Sequence, residues 1–114
     1  MTLSKELIAA STTPLVLSIL EREECYGYAL IKQIRQLSGD RIAWSDGMLY
    51  PVLRRLETQG LISSAWRSAD TGRRRRYYRI ENDGRQELAR LREQWNLVGS
   101  VLGRLWQEDP LCST

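Results

Sequence analysis

Six apolar residues near the end of the chain, Leu88, Leu91, Trp95, Val98, Leu102 and Leu105, recur at spacings of three, four, three, four and three. That is the heptad pattern of a helix with one apolar face. It predicts a single helix running from Asn82 to about Gln107, before Pro110. About 25 residues of helix span roughly 37 Å at 1.5 Å per residue. A chain of 114 residues makes one domain, and a domain of that size does not cover so long a helix. Part of the stripe must meet a second chain, so these six residues read as the interface of a homodimer. A long helix folded back on its own domain is the alternative. Trp95 sits mid-stripe, where an indole is large for close helix packing. Either it packs as an ordinary interface residue, or it leaves a gap that two symmetry-related rings share and a flat aromatic molecule can fill.

Upstream, the periodicity is helical until residue 60. Residues 3–10 predict a short helix with Leu3, Leu7 and Ile8 on one face. Thr12, Thr13 and Pro14 predict a second start, a threonine cap with proline in the first turn. The apolar run 15–20 then reads as the core spine, ending in the charged stretch 21–24. Tyr26-Gly27-Tyr28 interrupts the pattern, and Leu30, Ile31, Ile34 and Leu37 mark a third helix that stops at residues 38–40. Residues 41–44 read as a short extended piece. Ser45 is the expected cap of a fourth helix, with Leu49, Val52, Leu53 and Leu56 inward and Tyr50, Arg54, Arg55 and Thr58 outward or at the border. Pro51 in its second turn frees the Gly47 carbonyl and should distort the helix start. Gly60 follows the last turn, where a left-handed conformation is needed. Residues 61–67 and 73–80 then read as two strands around a turn at 69–72, with Arg74, Arg76, Tyr78 and Ile80 on one face and Arg73, Arg75, Tyr77 and Arg79 on the other.

That hairpin carries the charge. With six arginines and one aspartate, residues 66–79 hold +5, more than the +3 of the whole chain. Basic charge gathered on one element suits a polyanion, and a nucleic-acid backbone is the commonest. Arginine supplies fifteen of the seventeen basic residues, and its planar fork binds phosphate oxygens in pairs. There is no histidine, and the two cysteines, Cys25 and Cys112, stand far apart. A metal site and histidine-based catalysis are therefore not expected, nor is any cofactor or enzymatic activity. No stretch reaches the length of a membrane span, so the chain reads as cytoplasmic, with reduced thiols and no membrane partner.

Mainly α with a small β-hairpin is the fold class, and the order helix, helix, helix, strand, strand is that of a winged helix-turn-helix. Residues 1–81 make the DNA-binding domain, 82–108 the C-terminal dimerisation helix and 109–114 a flexible tail. The fourth helix would enter the major groove of a double-stranded operator, with Ser45, Asp46, Gly47 and Tyr50 nearest the bases. Lys32, Arg54 and Arg55 would meet phosphates from the helices, and Arg73, Arg74, Arg75 and Arg76, with Tyr77, from the wing. Tyr50 packing on the wing and Asp46 serving only as a cap are the competing readings. A protein–protein adaptor that meets an acidic partner through the hairpin, and a thiol sensor using Cys112, are rival functions.

The strings YGYALIKQI (26–34), MLYPVLRRLETQGLI (48–62) and RRRRYYRIENDG (73–84) resemble the PadR family of transcriptional regulators. The resemblance runs from Leu3 to Trp106 and includes Pro51, which the family shares. ISSAW (62–66) and EQW (93–95) are similar to the short subgroup with one C-terminal helix. The resemblance implies a dimeric repressor. In some members of the subgroup it further implies multidrug binding, with flat aromatic compounds held between protomers against a tryptophan of the last helix. Trp95 falls at that position. Leu7, Ala10, Ser11, Asn96 and Val98 are the pore walls by the same analogy. Two departures stand out. The family's LTEAG is IENDG here, which moves the helix cap to Asn82 or Asp83, and only Glu6 and Glu93 supply acid near the pore.

Overall fold

The computed structural model describes residues 2–107. Four helices and three short strands follow in the order α1 (Lys5–Arg22), β1 (Cys25–Tyr26), α2 (Gly27–Leu37), α3 (Asp46–Thr58), β2 (Ile62–Ser68), β3 (Arg74–Ile80) and α4 (Asn82–Trp106). This is a winged helix extended by one long C-terminal helix. The strands form an antiparallel sheet in the order β1-β3-β2. Val16, Leu17, Leu20, Leu30, Ile34, Leu49, Leu53, Leu56, Ile62 and Leu88 fill one core between the helices and the sheet.

Several local rules hold. The Ser45 hydroxyl accepts the Met48 N–H at 3.2 Å and caps α3. Gly60 has φ +76°, the left-handed turn that ends this helix. Pro51 lies inside α3 on its exposed side, and the helix nonetheless begins at Asp46.

Two expectations are corrected, and between them one element is added. Residues 3–10 and the run after Pro14 are not two helices but one, because α1 passes through Pro14 without a break. Proline removes the bond to Ala10, but Val16, Leu17, Ile19 and Leu20 bury beyond it and hold the helix together. Thr12, expected at a helix start, is itself buried in mid-helix, with its hydroxyl on the Ile8 carbonyl at 2.7 Å. The added element is a strand, Cys25 and Tyr26, that pairs with Tyr78 and Tyr77. Second, neither Asn82 nor Asp83 caps α4. Glu81 holds the cap position without a side-chain cap, since its carboxylate accepts the Ser63 hydroxyl and its N–H goes to the Leu61 carbonyl.

The long helix leaves the domain. Its first turns are anchored by buried Gly84 and Leu88, and Leu91 packs against the core. Leu88 thus departs from its expected place at a dimer interface, because its side chain is already buried within its own chain. Arg92 still pairs with Glu21 of α1 at 3.3 Å, and past it the helix extends the molecule to 66 × 30 × 21 Å. Glu108, Asp109, Cys112 and the expected tail lie outside the described residues.

Candidate nucleic-acid interface

The wing stands over the N-terminal end of α2 and the outer face of α3, leaving a cleft of about 830 Å³. Lys32, Tyr50, Arg54 and Arg73 to Arg76 all line it, which brings together seven residues chosen from sequence. Tyr26, Tyr28, Trp66 and Glu57 also line it and were not foreseen. Alternation along β2 could have placed Trp66 on the same side as Arg74 and Arg76. Nothing in the sequence pointed to Glu57.

The neighbouring surface of α3 carries Asp46, Gly47, Pro51 and Arg55 beside Tyr50 and Arg54. Gly47 is open, with no heavy atom within 4 Å of where a Cβ would stand. Arg55 turns towards α1, where it donates to the Thr13 hydroxyl at 2.8 Å. Tyr77 points away from the cleft side of the hairpin. Its ring meets Tyr26 edge to face at 5.4 Å, and the Arg67 guanidinium lies 4.7 Å above it.

Tyr50 is held by a glycine. A Cβ on Gly27 would overlap the Tyr50 hydroxyl and stand 2.8 Å from its Cζ. The Tyr50 ring therefore rests on the backbone at the start of α2. Half-exposed in that seat, it still faces the cleft.

The wing's charge is partly neutralised from outside. Arg67 pairs with Glu24, Arg76 with Glu57 at 3.2 Å, and Arg79 with Glu81 at 3.6 Å. Arg76 also donates to the Ser64 hydroxyl at 2.7 Å, and Ser64 in turn donates to Glu57. This network fastens the hairpin to the last turn of α3. Surface pairs of this kind add little stability each, but they fix geometry. Arg73, Arg74 and Arg75 have no acidic partner among the described residues. Arg74 sits over the Trp66 ring at 5.4 Å, and Arg75 over Tyr26 at 4.3 Å. Such cation–π contacts hold a guanidinium in place without neutralising it.

Beneath the wing, burial raises the Tyr78 phenol above its ordinary range and keeps it neutral. Burial, with Glu23 nearby, pushes the Cys25 thiol up to about 12. At pH 8 the thiolate is then on the order of 1 in 10,000, too scarce to react. In a Cys112→Ser protein, Cys25 is expected to stay silent towards Ellman's reagent while folded and to release one equivalent in guanidinium. Fast reaction of the native protein would show instead that the site opens readily.

Among the described residues no group of His, Cys, Asp or Glu could hold a metal ion, and no helix is long and apolar enough to cross a membrane. On α4 the stripe is open to solvent at Trp95, Val98 and Leu105 and half-buried at Leu102, with Leu97, Val101 and Trp106 exposed beside it. Leu7, Ala10 and Asn96 are exposed as well, and Ser11 is half-buried with its hydroxyl on the Ile8 carbonyl.

The family of PadR-like transcriptional regulators matches residues 16–90. A transcriptional regulator from Clostridium thermocellum is similar in structure, with a TM-score of 0.83 and 29% identity over 93% of this chain and all of that one. A PadR family transcriptional regulator from Eggerthella lenta is 36% identical with a TM-score of 0.77, covering 91% of this chain and 88% of its own. Transcriptional regulator YqjI of Escherichia coli is 34% identical over 83 residues, which are 73% of this chain but only 38% of that protein.

Proposed function

Because the chain belongs to the PadR-like family of transcriptional regulators, we propose that this DNA-binding regulator works as a homodimer and represses by occupying an operator. Two copies joined through α4 would set two α3 helices and two wings against successive half-sites. Tyr50 and the open N-terminal turn of α3 would face base edges. Arg54, Lys32 and the unpaired wing arginines would hold the backbone.

The observation that carries the dimer is the apolar face of α4 beyond Leu91. Trp95, Val98, Leu102 and Leu105 share one face, and among the described residues it stays open to solvent at Trp95, Val98 and Leu105. A soluble monomer rarely leaves such a contiguous stripe in water. We further propose that a flat aromatic compound stacks on Trp95 between protomers, beside Leu7, Ala10, Ser11, Asn96 and Val98, and releases the operator. The indole is 41% exposed, so a ring has a face to stack on. Release requires the compound to favour the arrangement that does not bind DNA.

Tryptophan fluorescence tests this reading. The protein is titrated with flat dyes of cationic, neutral and anionic charge, ethidium among them, while light scattering reports its mass. The expected result is a dimer whose emission is quenched saturably, with the quenching lost in Trp95→Ala and the dimer kept. A monomeric mass would overturn the dimer. A dimer without quenching by any dye would reduce Trp95 to interface packing.

A further inference from the structure

Three large rings line the wing cleft in the open, Tyr28, Tyr50 and Trp66. Isolated exposed rings need no explanation, but several facing one cleft do. Tyr50 has its seat on Gly27. Trp66 is different. The side of β2 that faces α3 starts at buried Ile62, continues through Ser64, which is tied to Glu57, and then reaches Trp66 and Ser68. Trp66 thus follows the core-facing side outward, yet it is 56% exposed. Its cross-strand partner is Arg76, and the diagonal neighbour Arg74 lies over its ring. An indole next to an unneutralised arginine, on the cleft side of the wing, is placed for a partner that is apolar and anionic within a few ångströms. The sugar-phosphate edge of a duplex has both characters.

We propose that Trp66 is a direct, uncharged contact to duplex DNA, packing its indole on the deoxyribose edge while Arg74 meets the adjoining phosphate. This rests on the reading that the wing face binds DNA, and it adds an apolar component to an interface otherwise described by charge. It also assigns two separable roles. Loss of the indole lowers affinity equally at every salt concentration. Loss of Arg74 lowers the salt dependence itself, by about 0.9 in slope for each phosphate released.

Binding of the full chain to a mixed-sequence 30-base-pair duplex, measured across a potassium chloride series, separates these roles. Trp66→Ala is expected to weaken binding about tenfold with an unchanged slope, the effect of taking roughly 55 Å² of apolar surface out of water, whereas Trp66→Phe stays within about threefold of wild type. Arg74→Ala is expected to reduce the slope by about one for each wing that meets the duplex, hence by about two for a dimer. Trp66→Thr repeats the test with a residue that suits a strand, in case alanine loosens the wing. Wild-type affinity in Trp66→Ala and Trp66→Thr would overturn the proposal. So would a slope reduced to that of Arg74→Ala, because the indole would then only position the arginine. Replacing Arg73, Arg74 and Arg75 together serves as the reference. If that protein also binds like wild type, the wing face is not the DNA surface and the underlying reading fails; if it binds weakly, only the role of Trp66 is in question.

Discussion

Alanine at Arg73, Arg74 and Arg75 together is expected to leave a folded protein that has lost most of the salt-dependent part of its affinity for DNA. These three carry the wing's unneutralised charge, whereas Arg67, Arg76 and Arg79 are matched by Glu24, Glu57 and Glu81. Each phosphate neutralised contributes about 0.9 to the slope of log affinity against log salt, so three contribute close to three per wing. Between 50 and 200 mM salt that is roughly a fortyfold difference in how far binding falls for each wing engaged. The fold should be unaffected, since Arg73 and Arg74 are exposed and Arg75, half-buried, lays its guanidinium over Tyr26 at the edge of the sheet. Arg79→Gln is the control, because its paired guanidinium predicts almost no change in slope. Fluorescence anisotropy of a labelled duplex over a salt series reads both quantities. An unchanged slope in the triple variant would remove the wing from the interface.

Gly84→Ala is expected to destabilise the domain severely, although helix propensity argues the other way. In an exposed helix the change gains about 1 kcal/mol. Here Gly84 is buried in the first turn of α4, where a Cβ would overlap the Leu61 carbonyl oxygen and press to 2.8 Å from Ile80 Cγ1. The obstacle is backbone, and that same carbonyl accepts the Glu81 N–H at 2.9 Å, so it has little freedom to retreat. Overpacking of a well-packed site costs about 1–3 kcal/mol and more where backbone must shift. With backbone as the obstacle the cost stands at the upper end, about 3 kcal/mol, and the net loss is about 2 kcal/mol, a fall of roughly 10 °C in melting midpoint for a domain of this size. Thermal unfolding at fixed protein concentration checks it. A midpoint equal to or above wild type would mean that α4 docks elsewhere. Alanine at Gly99 or Gly103, whose Cβ positions are open, is the contrasting case.

Local signals in the sequence were those that depend on near neighbours. The Ser45 cap, the left-handed turn at Gly60 and the two-residue alternation of the hairpin each follow from residues within a turn or a strand pair. The heptad stripe gave the long helix for the same reason. Pro14 misled because its local preference for a helix start was outweighed by burial of Val16, Leu17, Ile19 and Leu20, a tertiary effect. The strand at Cys25 and Tyr26 is two residues long and exists only because β3 lies alongside. Most of the candidate cleft was legible, since a run of arginines and an outward helix face are readable residue by residue. What the sequence concealed was which arginines are answered by acids. Glu24 is 43 residues from Arg67 and Glu57 is 19 from Arg76, and only the fold brings them together.

If Tyr50 faces base edges as proposed, its rest on Gly27 bears on altering what this protein recognises. Tyr50 is the most prominent outward ring of α3, and the natural position to randomise when seeking a new target sequence. Its place is set by the missing side chain at position 27, one helix away. A smaller residue at 50 leaves a hollow above α2 that only a larger residue at 27 can fill, and a larger residue at 27 evicts the ring. On that reading the two positions act as one unit, and a library that diversifies 50 while holding 27 fixed explores only shapes that need a bare backbone beneath them.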